Sequence, residues 1–173
     1  MKCSNNVNLV MKLSDEQIHD IADTVDALNN ICYINSDTGE YVLMMNNEML
    51  SEYGISWDYD EEPDEDRPEW LMDMYSETKS DMAKIDSWEH VIRIEKPESF
   101  EAFEFMERFV EEIIPEGKLQ NDFCRALSRS HPFRNFNAIV HNCEYREDWF
   151  KFKRLMLEKH VRAALGDYGE CET

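Results

Sequence analysis

The chain has 173 residues, 38 of them acidic and 18 basic, for a formal charge of −20. A chain of this length suits one domain and buries about two thirds of the surface its unfolded form exposes. A field of this sign repels nucleic acid and anionic membrane unless a local patch overrides it.

Five Gly and five Pro argue against the glycine-rich phosphate loops of a dinucleotide-binding sheet and for long helices with few breaks. The charge is uneven. Residues 1–116 carry 30 acids against 8 Lys or Arg, a net of −22, whereas residues 117–173 carry 8 against 10, a net of +2. Cys3, Cys32, Cys124, Cys143 and Cys171 are odd in number and dispersed. No apolar run approaches the roughly 18 residues of a membrane span, and MKCSNNVNLVMKLSDEQ lacks the pattern of a signal peptide. These features predict a cytoplasmic protein with free thiols and no membrane span.

In chain order, Val7 to Met11 suits an edge strand. Ser14 is a helix N-cap, with Gln17 at the capping-box position and Asp15 and Glu16 in the first turn. Ile18, Ile21, Val25 and Leu28 follow at helical spacing, predicting a helix that ends near Asn29-Asn30. Ile31–Ile34 and Tyr41–Met45 are β-branched and aromatic runs separated by NSDTGE. That spelling predicts a hairpin whose type I turn is closed by a left-handed Gly39 with a bulge.

The segment WDYDEEPDEDRPE places eight carboxylates between Trp57 and Glu69. Asp58, Asp60, Glu62, Asp64, Asp66 and Glu69 imitate calcium-loop spacing. The turn position that requires Gly is Pro63, however, the apolar position is Glu65, and two prolines interrupt the flanks. A solvated acidic loop is the expectation, with no metal site. Pro68 suits the first turn of a short helix bearing Trp70, Leu71 and Met74.

Residues 88–94 read as a third strand beside the hairpin, with Trp88, His90, Ile92 and Ile94 on one face. His90 among apolar neighbours fits the core or its edge. Ser99 opens a helix with an apolar stripe of Phe100, Phe103, Met106, Phe109, Val110 and Ile113, the best candidate to cover the sheet. Pro115 and Gly117 stop it.

Leu119, Phe123, Ala126 and Leu127 predict another helix, with Cys124 as a small hydrophobe near its apolar face. It should end at Ser128 to Ser130, because Pro132 disfavours a helical His131. Pro132 then opens a short helix with Phe133, Phe136, Ile139 and Val140. A last helix starts near Tyr145, buries Trp149, Phe152, Met156 and Val161, and turns Lys151, Lys153, Arg154 and Lys159 to solvent.

Three phrases over residues 90–165 resemble Uncharacterised Protein Family 0158, a set of small bacterial proteins of unassigned function. The first is Pro97 followed by Phe103-Glu104-Phe105-Met106-Glu107 and Phe109. The second is Ala126-Leu127 followed by Pro132-Phe133-Arg134-Asn135-Phe136. The third is Trp149-Phe150-Lys151-Phe152-Lys153. The chain departs from the family at Ser128 to Ser130, where glycine and more base are usual, and at Asn137, where Lys is common. The resemblance implies no activity, cofactor or catalytic residue.

The strongest candidate site is the turn holding Arg129, His131, Phe133 and Arg134, with Arg125 nearby. Free N–H groups at the start of the Pro132 helix, with Arg134 and His131, suit a phosphate or carboxylate. Phe133 and Phe136 either stack on a base or join a core stripe. The competing reading pairs Arg125, Arg129 and Arg134 with carboxylates of the first half. No HExxH, CxxC or Walker spacing is present, so no cofactor, metal or catalytic residue is assigned.

The expected architecture is one α+β domain. Residues 1–116 form an acidic portion with a small antiparallel sheet, the hairpin plus at least one further strand, covered by helices. Residues 117–166 form a helical portion packed against it. The expected function is a non-enzymatic interaction or regulatory module whose acidic half engages a basic protein partner, with nucleic-acid mimicry as its extreme form. The alternative is a small enzyme or ligand binder holding an anion at Arg129–Arg134. Direct nucleic-acid binding is not expected from a +2 segment attached to a −22 segment.

Overall fold

The computed structural model describes residues 13–28, 30–55 and 68–166. In chain order these hold α1 (Asp15–Leu28), β1 (Asn30–Asn35), β2 (Tyr41–Met45), α2 (Asn47–Glu52) and α3 (Glu69–Asp86). Then come β3 (Val91–Ile94), α4 (Ser99–Glu112), α5 (Lys118–Leu127), α6 (Pro132–Val140) and α7 (Arg146–Ala164). The fold is α+β, with a small antiparallel sheet packed against helices and an all-helical C-terminal half. The chain groups into two compact units, Met1–Lys96 with Val161–Thr173, and Pro97–His160. The candidate strand at 7–11 and the acidic segment 58–67 lie outside the described residues.

In the first unit, Ser14 and Gln17 close the expected capping box. The Ser14 N–H donates to Gln17 Oε1 (2.9 Å) and the Gln17 N–H to Ser14 Oγ (3.2 Å). The sheet order is β2-β1-β3, antiparallel throughout, with Ile31 opposite Met44, Tyr33 opposite Val42 and Cys32 opposite Ile94. The hairpin closes as its spelling requires. The Gly39 N–H donates to Asn35 O (2.8 Å) and the Asn35 N–H to Glu40 O (2.9 Å), so two residues oppose one in a bulge. Gly39 sits at φ 77°, where a side chain would be strained. Asn35, a buried polar residue, accepts through Oδ1 from the N–H groups of Asp37 (2.9 Å) and Thr38 (3.2 Å).

Both faces of this sheet are covered. Ile31, Tyr33, Val42 and Met44 pack with Leu50, Ile55, Met82 and Ile85 of α2, its exit and α3. Alternation puts Cys32 and Ile34 on the opposite face. There α1 packs on β1 and brings the buried Ile18, Ile21, Ala22 and Val25.

Helix α2 is absent from the sequence expectation, yet both of its ends are specified locally. Asn46 Oδ1 accepts from the Met49 N–H (2.8 Å) at the start. At the end, Ile55 N–H to Leu50 O (3.0 Å) and Gly54 N–H to Ser51 O (3.0 Å) form a Schellman motif, with Leu50 and Ile55 in the core.

Several expectations are corrected in this unit. The short helix after Pro68 is α3, 18 residues long, because its polar SETKS stretch continues the helix on the solvent side. Pro68 is its N-cap rather than its first residue. The third strand starts at Val91, since α3 and its cap occupy the chain to Ser87. Trp88 therefore packs against the α3-side cluster and does not share a face with Ile94, which pairs across from Cys32. His90 is exposed and sits 3.1 Å from Asp37 at the hairpin turn. Within this unit α1, α2 and α3 pack on the sheet; α4 belongs to the second unit.

The second unit is organised by α4. It opens at Ser99, as expected, with Glu98 as its N-cap in a capping box with Glu101 (Glu98 N–H to Glu101 Oε2, 2.8 Å). Its buried face is Phe105, Met106, Phe109 and Val110. Phe100 and Ile113 are exposed, so the apolar face is rotated from the expected stripe and takes in Phe105. Phe109, fully buried, meets Phe123, Phe136, Trp149 and Phe152 edge-on, with ring centroids 5.1 to 6.5 Å apart. Such geometry adds to the area buried by each ring. Helices α5, α6 and α7 adopt the expected spans within a residue or two, and Pro132 is the first residue of α6.

Three outcomes follow. Phe109→Ala should cost about 3–5 kcal/mol, read from the urea midpoint at unchanged slope. Asn35→Ala should cost about 1–3 kcal/mol by stranding two turn N–H groups. The hydrogen bond and charge of Asp37 raise the His90 pKa. The His90–Asp37 pair therefore contributes below the ordinary histidine pKa and fades as pH rises through the raised value. Asp37→Asn should lower the His90 titration midpoint in an NMR pH series.

Candidate functional site

The Arg129–Arg134 turn is a fixed corner. Helix α5 ends at Leu127 with Ser128 as its cap, and Ser128 Oγ donates to Arg125 O (3.1 Å). His131 takes the left-handed conformation (φ 58°, ψ 53°), the only positive-φ residue other than Gly among the described residues. This backbone reversal lets Pro132 start α6 without the clash that a helical His131 would bring. Asn135 Nδ2 donates to Ser130 O (2.8 Å) and ties the helix back to the corner.

The four candidate side chains fare differently. Arg129, His131 and Arg134 are exposed, and neither arginine forms an ion pair among the described residues. Arg125 pairs with Asp122 of its own helix (3.4 Å). Phe133 is 39% exposed and meets Phe103 edge-on at 6.4 Å. Phe136, the other stacking candidate, is fully buried beside Phe123 and Trp149 and belongs to the core.

A second feature escaped the sequence reading. A groove of about 480 Å³ runs between α4 and α5. Helix α4 contributes Phe103, Glu107, Val110 and Glu111, and α5 with its cap contributes Gln120, Cys124, Leu127 and Ser128. Both sets follow the same i, i+4, i+7, i+8 spacing, so each helix offers one two-turn stripe. Gln120 Nε2 donates to Val110 O (3.3 Å) and Ile114 O (3.2 Å), fixing the start of α5 against the end of α4. Cys124 is exposed, which corrects its expected role as a buried hydrophobe: Phe123 and Ala126 take the buried face of α5 instead. The repeated spacing was present in the sequence, but the acids Glu107 and Glu111 disguised it as a solvated face.

A smaller recess of about 280 Å³ in the first unit, at one end of the sheet, is lined by Asn30, Asn46, Glu48, Arg93, Lys96 and their neighbours. Its Arg93 is in an ion pair with Glu95. Among the described residues no group of three or more His, Cys, Asp or Glu could hold a metal ion. No described helix is long and apolar enough to cross a membrane. No family model, curated protein or solved structure matches the chain.

The thiols separate by burial. Cys32 lies inside the sheet, and desolvation pushes its pKa up to about 12, so it stays protonated and unreactive at neutral pH. In timed alkylation with iodoacetamide read by peptide mapping, Cys124 should react readily. Cys32 should react only under unfolding conditions.

Proposed function

We propose that the protein is a non-enzymatic interaction or regulatory module that engages a basic protein partner through its acidic surface. The observation that carries this reading is the row Glu69, Asp73, Glu77 and Asp81 along α3. These residues follow one another at i, i+4 and form no ion pair among the described residues. Like charges at this spacing destabilise an isolated helix by about 0.2–0.5 kcal/mol per pair, and a partner bearing Lys or Arg would relieve that repulsion while gaining speed of association.

Two further features support the reading. Cys32, Cys124 and Cys143 are free thiols, as suits the cytoplasm. The three phrases resembling Uncharacterised Protein Family 0158 fall on α4 and its entry, on α5 and α6, and on α7. Membership of that family is part of the same proposal.

A second reading, an anionic ligand held by Arg129, His131, Phe133 and Arg134, is favoured by one observation: the two arginines have no carboxylate partner among the described residues. The readings separate in one experiment. Capture from native lysate should yield basic proteins that are lost when Glu69, Asp73 and Glu77 are changed to Lys, and kept in the Arg129→Ala/Arg134→Ala variant. Unchanged capture by the α3 variant sinks the first reading. A rise in thermal midpoint with inorganic phosphate, abolished by Arg129→Ala/Arg134→Ala, would establish the second.

A further inference from the structure

We infer that the groove between α4 and α5 is the seat of an amphipathic helix from the partner, one whose apolar face enters the groove and whose flanks carry Lys or Arg. The inference rests on the interaction reading above and assigns it a place.

The dimensions come first. Phe103 to Glu111 on α4 and Gln120 to Ser128 on α5 each span eight residue steps, about 12 Å or slightly more than two helical turns. Stripes of that length match the span of the i, i+3, i+4, i+7 anchors by which a helix docks in a groove.

The chemistry of the lining then selects the occupant. Phe103 and Leu127, both half-buried, supply the apolar surface, to which the buried Val110 adds little, and Phe133 extends it through its edge contact with Phe103. Glu107 and Glu111 are exposed and form no ion pair among the described residues. An apolar face flanked by cations is the complement of that surface. An acidic or wholly apolar helix would leave the two carboxylates opposed or desolvated without partners.

The bottom of the groove is also held in place. Gln120 bridges the Val110 carbonyl of α4 and the Ile114 carbonyl just past its end, and Phe123, the neighbour of Cys124 on α5, packs against Phe109 and Phe136. The partner therefore meets a formed surface, with little ordering cost on this side. Cys124, exposed in the α5 stripe, reports occupancy because a seated helix would cover its thiol.

The test uses the full-length protein and a synthetic helical peptide about 15 residues long, with Leu at i, i+3, i+4, i+7 spacing and Lys elsewhere. A peptide of the same composition with the Leu spacing scrambled is the control. The ordered peptide should bind in fluorescence anisotropy and slow Cys124 alkylation several-fold. Glu107→Lys/Glu111→Lys, both at exposed positions, should weaken binding by roughly tenfold or more and restore alkylation. Binding that leaves Cys124 reactive overturns the inference, as does equal protection by the scrambled peptide or protection that survives the double charge reversal. If the ordered peptide does not bind at all while the α3 row still governs capture of basic proteins, the groove assignment falls and the interaction module stands. If the peptide seats in the groove while α3 charge reversal changes no capture, the groove stands as a helix-binding site and the acidic-surface reading falls.

Discussion

Strand β1 has no side free. Its edges pair with β2 and β3, and its residues from Ile31 to Asn35 are all buried. Ile31 and Tyr33 face α2 and α3, while Cys32 and Ile34 face the opposite side. A strand in that position must be apolar at consecutive positions rather than at alternate ones, and ICYI meets the requirement. The remainder of the first unit follows from it. Both neighbouring strands must be held in one register, because a slip of a single residue would exchange the two cores. Asn35 and Gly39 set that register at the hairpin. Replacing either would act on the whole sheet, although neither contributes apolar area.

The second unit solves the same problem with rings in place of strands. Phe109 is the shared neighbour of four aromatic residues from α5, α6 and α7. Edge-on contacts constrain direction as well as distance, so each ring limits how far its helix can rotate. That restriction gives α4 a definite outer surface. With Phe105, Met106 and Phe109 committed inward, Phe103, Glu107 and Glu111 are left to form a wall. The placement of two carboxylates beside an apolar strip is thus a by-product of how the aromatic core orients one helix.

Much of this was readable from residue order. The Ser14–Gln17 cap, the Gly39 bulge, the helices α5 to α7 and the reversal before Pro132 each depend on a few adjacent residues whose backbone demands are strong. The misses had a common cause. In α2 and α3, polar positions that face water looked like loop. In α4, counting every apolar residue into one stripe hid the fact that Phe100 stays in solvent while Phe105 is buried. The choice between them is made by partners distant in sequence, and periodicity alone does not contain it. Cys124 was misjudged for the same reason: one helical step separates it from the fully buried Phe123. Of the expected site, the sequence located the turn and its arginines. It did not distinguish Phe133 at the surface from Phe136 in the core.

The corner at His131 has one more implication. Its path is set by a left-handed residue, by the ring of Pro132 with its fixed φ, and by the Asn135 amide on Ser130 O. None of these determinants involves the side chain of Arg129 or Arg134. The frame and those two groups are separable, so the two positions form a small fixed scaffold on which surface chemistry can be exchanged while the spacing between them is preserved, whereas position 131 must keep a residue that tolerates the left-handed conformation.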